Sequence, residues 1–273
     1  EAVEKALGFV RPDSNGYSAV VSAGAETFMV YGLGKNGRIT AVYAGNKCAS
    51  GTGEFFLQQI RRMDLTLEEA VEIARREPPY SVSGRCSVFC KSDCTHATNK
   101  GVPKERVTAG LCRMMAGKIL ELIRPVGKKA IVVIGGCARN HVMIDFLKSE
   151  IPDLYVPEQA PYFEALGCAL WACENKTFPL HEIDDIFKKD RKTFVQLPPL
   201  KTAEHRVVFK ESRMGTPEAG DRCIIGLDVG STTTKAVLLR TTDSQVLASV
   251  YLRTNADPVG ASRACYAALR RQL

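Results

Sequence analysis

Residues 223–239 read Cys-Ile-Ile-Gly-Leu-Asp-Val-Gly-Ser-Thr-Thr-Thr-Lys-Ala-Val-Leu-Leu. An apolar run ends in Asp228, a hydroxyl-rich turn follows, and a second apolar run begins. This pattern predicts a strand–turn–strand unit with a carboxylate at one strand end. Such a turn can hold a phosphate without a helix. Gly230 lets backbone approach closely, and the hydroxyls of Ser231, Thr232 and Thr233 can donate beside the backbone N–H groups. Asp228 can hold Mg²⁺ through water, and Lys235 follows on the second strand. The stretch is not a P-loop, because no Gly-x-x-x-x-Gly-Lys-Ser/Thr occurs in the chain. The competing reading is an ordinary hairpin with a Thr-rich turn.

Composition sets the frame around this unit. The chain of 273 residues is 45% hydrophobic and 25% charged, ordinary for a globular protein with one large core or two smaller ones. No apolar run has the length of a membrane span, and no charged-then-apolar leader is present, so a cytoplasmic protein is expected. Both ends fall inside helical patterns, at residues 1–9 and 257–273, which suggests a piece of a longer protein. Ten cysteines without the spacing of a disulfide scaffold point to metal or redox chemistry. The net charge of +7 is concentrated, because residues 187–213 carry eight Lys or Arg against three Asp or Glu. That segment reads as a basic tether, so a nucleic-acid partner is not expected.

Elsewhere the chain alternates. Strands are expected at residues 17–22, 27–33 and 39–43, with a hairpin turn at Lys35-Asn36-Gly37-Arg38. Helices are expected at 53–62, 67–76, 104–123, 138–149 and 162–173, and a buried strand at 130–134. Residues 224–253 read as a three-strand meander. The class is α/β, a mixed sheet with flanking helices.

Three constellations carry chemistry. In Ala44-Gly-Asn-Lys-Cys-Ala-Ser-Gly-Thr-Gly-Glu-Phe-Phe56, a strand end leads through Cys48 to Gly51-Thr52-Gly53, which opens a helix whose free N–H groups can face an anion. The same helix end would favour a Cys48 thiolate; a tight loop around an inert cysteine is the alternative. In Gly84-Arg-Cys-Ser-Val-Phe-Cys-Lys-Ser-Asp-Cys-Thr-His96, the spacing of four places Cys86, Cys90 and Cys94 in one column of a helix. A column cannot wrap one cluster, so a metal there needs ligands from elsewhere, with Cys48 the natural donor. Cys90 and Cys94 read as core residues, and His96 as structural. In Ala130-Ile-Val-Val-Ile-Gly-Gly-Cys-Ala-Arg-Asn140, a buried strand runs into Gly135-Gly136, where a flat group such as an adenosine can lie against backbone. Asn140 either contacts that ligand or caps the following helix.

Taken together, these motifs resemble the ATP-dependent activators of 2-hydroxyacyl-CoA dehydratases and the ATPase subunits of benzoyl-CoA reductase. The resemblance covers residues 17–173 and starts afresh at 223. It implies the actin-like ATPase fold of the acetate and sugar kinase superfamily, which is ribonuclease H-like. It also implies ATP, Mg²⁺ and one [4Fe–4S] cluster shared by two domains or two copies, with Cys48 and Cys86 as this chain's ligands. The partners implied are a 2-hydroxyacyl-CoA dehydratase or related reductase and an electron donor such as ferredoxin or flavodoxin. In the family the Asp-x-Gly-Ser/Thr loop begins a domain, whereas here it comes last. The order suggests a tandem protein: residues 1–181 the latter part of a first activator domain, 182–221 a basic linker, and 222–273 the start of a second. Circular permutation would need more residues after 222. One departure is Val20-Val-Ser-Ala-Gly-Ala-Glu-Thr27, where Ser22 and Ala25 replace the Asp and Gly usual in the second phosphate loop, which weakens a Mg²⁺ or water-positioning role; Glu26 is a possible substitute. A small-molecule kinase of the same fold and a non-enzymatic docking module are the competing functions. The kinase reading lacks an evident catalytic carboxylate.

Overall fold

The computed structural model describes residues 1–11, 16–45, 52–177, 197–208 and 214–273. Cys48 and Gly51, two of the residues singled out above, lie outside these ranges, as does much of the basic tether.

A mixed five-stranded sheet organises the N-terminal part. Strands β1 (Ala19–Ala23), β2 (Phe28–Leu33) and β3 (Ile39–Ala44) form an antiparallel meander. The turn between β2 and β3 closes with Gly34 N–H on the Arg38 carbonyl at 2.8 Å, at the Asn-Gly pair expected to bend there. Strands β4 (Ile131–Ile134) and β5 (Leu154–Tyr155) add in parallel beyond β1, giving the order β3-β2-β1-β4-β5. Central β1 and β4 are buried on both faces, which is why Ala-Val-Val-Ser-Ala and Ile-Val-Val-Ile read as continuous runs. Outlying β2 alternates buried and half-buried positions.

Helices cover both faces. α1 (Ala2–Val10) and α7 (Phe163–Glu174) pack Val3, Ala6, Leu7 and Phe163 against Val20, Val132 and Ile134. The opposite face carries α2 (Gly53–Arg62), α3 (Leu67–Ala74), α4 (Ser87–Asn99), α5 (Lys104–Leu122) and α6 (His141–Lys148) around the main core. Fully buried Leu111, Met115 and Ile119 line one stripe of α5, each worth about 1.5–3 kcal/mol of burial.

Two sequence expectations change. Residues 136–139 are a short 3₁₀ turn rather than the start of α6, because Asn140 caps α6 by accepting from the Met143 N–H at 3.1 Å. The three-cysteine column is also broken. Cys86 is the extended residue that precedes α4, at φ −148° and ψ 142°, so only Cys90 and Cys94 stand on the helix.

The C-terminal unit is the expected meander, β6 (Cys223–Val229), β7 (Thr233–Arg240) and β8 (Val246–Arg253), followed by α8 (Pro258–Gln272). α8 covers one face, burying Cys265 and Leu269 against Ala236, Leu238, Leu247 and Ala248. Every residue of β6 is exposed. Residues just before β6 belong to this unit: Arg240 pairs with Asp221 at 3.0 Å, and Gly215 N–H donates to Val246 at 2.9 Å. Within the former tether, Leu200–Arg206 forms an exposed 3₁₀ turn.

Candidate functional site

Three glycine-bearing segments, far apart in the chain, meet at the carboxyl ends of β1 and β4. The first is the Gly24–Ala25 turn after β1. The second is the start of α2, where Thr52 caps the helix by accepting from the Phe55 N–H at 3.4 Å. The third is Gly135-Gly136 after β4. Backbone bonds join the first two, Gly53 N–H donating to Gly24 at 3.2 Å and Glu54 N–H to Ala25 at 2.9 Å, and the Cys137 thiol, just after Gly136, donates to the Gly24 carbonyl at 3.3 Å. Two of the glycines are needed there. Gly135 sits at φ +92°, and a Cβ on it would lie 2.5 Å from the Ala23 carbonyl. A Cβ on Gly53 would lie 2.7 Å from Cys137 Sγ.

Between these segments lies a cleft of about 230 Å³. Ala25, Gly53, Gly136 and Arg139 contribute to its walls, with Phe56 and Met115 supplying apolar surface. A flat apolar group suits such a space, with Phe56 and Met115 as its walls and Arg139 as a cation for a charged tail; the α2 start, expected to offer free N–H groups to an anion, instead has those of Gly53, Glu54 and Phe55 bonded to Gly24, Ala25 and Thr52. Asn140 caps α6, the second of its two expected roles, and its side chain also lines the cleft. Motif reading missed Phe56, Met115 and Arg139. Arg139 was legible in principle, as a cation three residues beyond Gly136.

The second phosphate-loop position is the end of β1. Ser22, where a carboxylate was expected, is buried in the ladder beside Met29 and Ile134. Glu26 is exposed in the following turn.

The cysteines divide by environment. Cys86 is half-buried at the start of α4, and the next turn exposes Val88 and Phe89, at 70% and 64%. Cys90 and Cys94 are buried, as their reading as core residues required. The neighbouring Cys90 thiol and burial push Cys94 far above the ordinary thiol range. Burial pushes Cys112 and Cys137 up to about 12. Cys112 bonds the amide of Asn140 at 3.3 Å, and Cys137 donates to the Gly24 carbonyl at 3.3 Å. These thiols pack within the protein and stay protonated. Cys86 has the partial exposure and the donor chemistry that a shared iron–sulfur cluster requires. No group of three or more possible metal ligands occurs among the described residues.

The residues singled out at the C-terminal turn stand apart from the cleft. Asp228 and Lys235 face each other across β6 and β7 and form an ion pair at 2.9 Å. The carboxylate meant for a cation thus already has an internal partner. Gly230 N–H donates to Thr233 at 3.0 Å, closing the turn that carries Ser231 and Thr232. Thr234, one residue beyond, is buried and bonded to Thr254 at 3.0 Å.

Residues 2–172 match the BadF/BadG/BcrA/BcrD ATPase family. The chain belongs to that family. Its N-terminal part has the actin-like ATPase fold that the sequence motifs implied. It is 25% identical over 185 residues to a 2-hydroxyisocaproyl-CoA dehydratase activator of Clostridioides difficile, covering 67% of this chain and 68% of the relative. It is 30% identical over 141 residues to an (R)-2-hydroxyglutaryl-CoA dehydratase activating ATPase of Acidaminococcus fermentans, covering 50% and 54%. The solved activator of the 2-hydroxyisocaproyl-CoA dehydratase from Clostridium difficile, with bound ADPNP, superposes with a TM-score of 0.58 at 25% identity, over 66% of this chain and 70% of that one. The chain thus spans between about half and two thirds of the length of these curated relatives. Among the described residues, no helix is long and apolar enough to cross a membrane.

Proposed function

We propose that this chain is part of a cytoplasmic, ATP-dependent iron–sulfur activator that delivers low-potential electrons to a 2-hydroxyacyl-CoA dehydratase or a related reductase. The observation that carries the reading is the cleft lined by Ala25, Gly53 and Gly136; Cys86, half-buried just before α4, is the cysteine available for a cluster. Residues 1–181 are the latter part of a first activator ATPase domain, 182–221 a basic linker, and 222–273 the start of a second.

Each residue has a role in this scheme. Gly51, Thr52, Gly53, Gly135 and Gly136 shape the nucleotide cleft. Asp228, Gly230, Ser231, Thr232, Thr233 and Lys235 form the phosphate loop of the second domain, where Mg²⁺ would have to draw Asp228 from Lys235. Cys48 and Cys86 each give a thiolate to a [4Fe–4S] cluster completed by a second domain or a second copy. When bound, the cluster supplies a one-electron carrier. Val88 and Phe89, exposed two and three residues beyond Cys86, keep water from its surroundings once a partner covers them. A ferredoxin or flavodoxin would recharge it.

The test is anaerobic purification of the full-length protein, followed by iron and sulfide assay and electron paramagnetic resonance after reduction. Iron in the wild type, lost in Cys48→Ser and in Cys86→Ser, is expected. A wild type without iron that still hydrolyses ATP sinks the electron-transfer reading.

A further inference from the structure

The cleft of Gly53, Gly136 and Arg139 departs from a metal-dependent phosphate site in the atoms it offers. Mg²⁺ takes oxygen ligands in near-octahedral geometry, commonly one or two carboxylates together with the phosphates it bridges. Among the described residues that line the cleft there is no Asp or Glu. Ser22, where a carboxylate was expected, is 8% exposed within the ladder. The carbonyls of the turn after β1 are committed as well. The Gly24 carbonyl accepts from both the Gly53 N–H at 3.2 Å and the Cys137 thiol at 3.3 Å, which occupies its two lone pairs. The Ala25 carbonyl accepts from the Glu54 N–H at 2.9 Å, and Asn140 Oδ1 from the Met143 N–H at 3.1 Å. This donor set does not fit Mg²⁺.

The one charge among the described lining residues is positive. Arg139 ends the 3₁₀ turn that starts at Gly136, is exposed, and has no ion pair among the described residues. A divalent cation in the cleft would meet a like charge. A phosphate would meet a planar fork of N–H donors, which pairs with it in bidentate fashion. The rest of the lining is largely apolar, with Phe56, Leu57, Met115 and Pro161. A Cβ on Gly136 would meet nothing within 4 Å, so open space lies directly against that backbone, as a flat ring requires.

We propose that this cleft is a metal-independent nucleotide site: it holds a nucleoside by its ring and the phosphate tail by Arg139, and a bound Mg²⁺ adds nothing to the affinity. The inference rests on the reading of the cleft as a nucleotide site. The lack of a metal requirement, and Arg139 as counter-ion of the tail, go beyond that reading. Mg²⁺ chemistry is left to the turn at Asp228.

The experiment is a fluorescence titration of the 273-residue chain with the methylanthraniloyl derivative of ADP, in excess MgCl₂ and in EDTA, with adenosine and AMP as competitors. The wild-type dissociation constants in the two buffers are expected to agree within about twofold, and AMP to compete about tenfold better than adenosine, the yield of one charge-assisted pair. Arg139→Met removes that advantage and leaves adenosine binding as it was. Gly136→Val puts a side chain into the open space and abolishes binding, which assigns the signal to this cleft. Should Gly136→Val lower the urea midpoint, the exposed Arg139→Met decides. Binding tightened by Mg²⁺ beyond the twofold margin refutes the metal-free site but keeps the nucleotide reading, and loss of that gain in Glu26→Gln would name Glu26 as the missing carboxylate. A preference for AMP that survives Arg139→Met overturns the role of Arg139. No binding in either buffer, or binding indifferent to a folded Gly136→Val, sinks the nucleotide reading of the cleft and this inference with it.

Discussion

Gly53→Ala is a test of how closely the three glycine segments are pressed together. The added Cβ would sit 2.7 Å from Cys137 Sγ and 3.2 Å from both Ala25 Cα and the Gly24 carbonyl. Ordinary non-bonded contact needs about 3.5–4.0 Å, so the sulfur overlap is close to 1 Å and the two backbone contacts are short by a few tenths. Overpacking of this kind costs about 1–3 kcal/mol. Replacing glycine inside a helix returns up to ~1 kcal/mol, and less here, because Gly53 is the first residue of α2. A net loss of about 1–2 kcal/mol is expected. The sulfur is the worst offender, so Cys137→Ala relieves most of it. A double-mutant cycle by equilibrium urea unfolding is expected to give a favourable coupling of about 1 kcal/mol between the two substitutions. The same methyl narrows the cleft, so ATP-analogue affinity falls by about tenfold for each 1.4 kcal/mol lost, and recovers in part in the double variant. A coupling of zero, or a stabilised Gly53→Ala, refutes the close approach of α2 to the Gly135–Gly136 turn.

Other perturbations separate structural from functional residues. Asn140→Ala removes the α6 cap and the partner of the Cys112 thiol; a loss of about 1–3 kcal/mol is expected in urea unfolding. Cys86→Ser leaves stability within about 0.5 kcal/mol, as a half-exposed position should, yet removes iron from the full-length protein. Cys90→Ser does the reverse, lowering stability by about 1–3 kcal/mol by burying an extra hydroxyl while iron is retained. The raised pKa values of Cys112 and Cys137, pushed up to about 12 by burial, set a pH dependence. An unfolded thiol loses its proton near pH 8.5, whereas these two keep theirs. Their contribution is therefore full below about pH 8.5 and falls as pH rises towards 12, by about 1.4 kcal/mol per pH unit for each thiol. Urea midpoints measured from pH 8 to pH 11 report that slope, and Cys112→Ala flattens it by about one proton.

The parts of this protein that were legible in the sequence are those whose physics is local. Ala-Val-Val-Ser-Ala and Ile-Val-Val-Ile are apolar throughout because both faces of β1 and β4 are covered, and glycines at strand ends mark the cleft because backbone approaches backbone there. What escaped depends on contacts that spacing does not encode. Cys86, Cys90 and Cys94 look equivalent at intervals of four. Asp93, the residue just before Cys94, accepts from the Ser83 N–H at 2.8 Å and holds the preceding loop extended. That tie delays α4 until Ser87, so Cys86 stays half-buried ahead of the helix while its two successors enter the core. The same reasoning separates the phosphate-type turn from the cleft. Asp228 and Lys235 satisfy one another across a ladder, and Asn255 reaches a residue 191 positions away. Neither fact follows from Asp-x-Gly-Ser. A motif specifies which groups a turn offers; the surface on which that turn rests follows only from the fold, and here Ser231 shares a seam with Gln59 and Arg62 of α2 and Cys94 of α4.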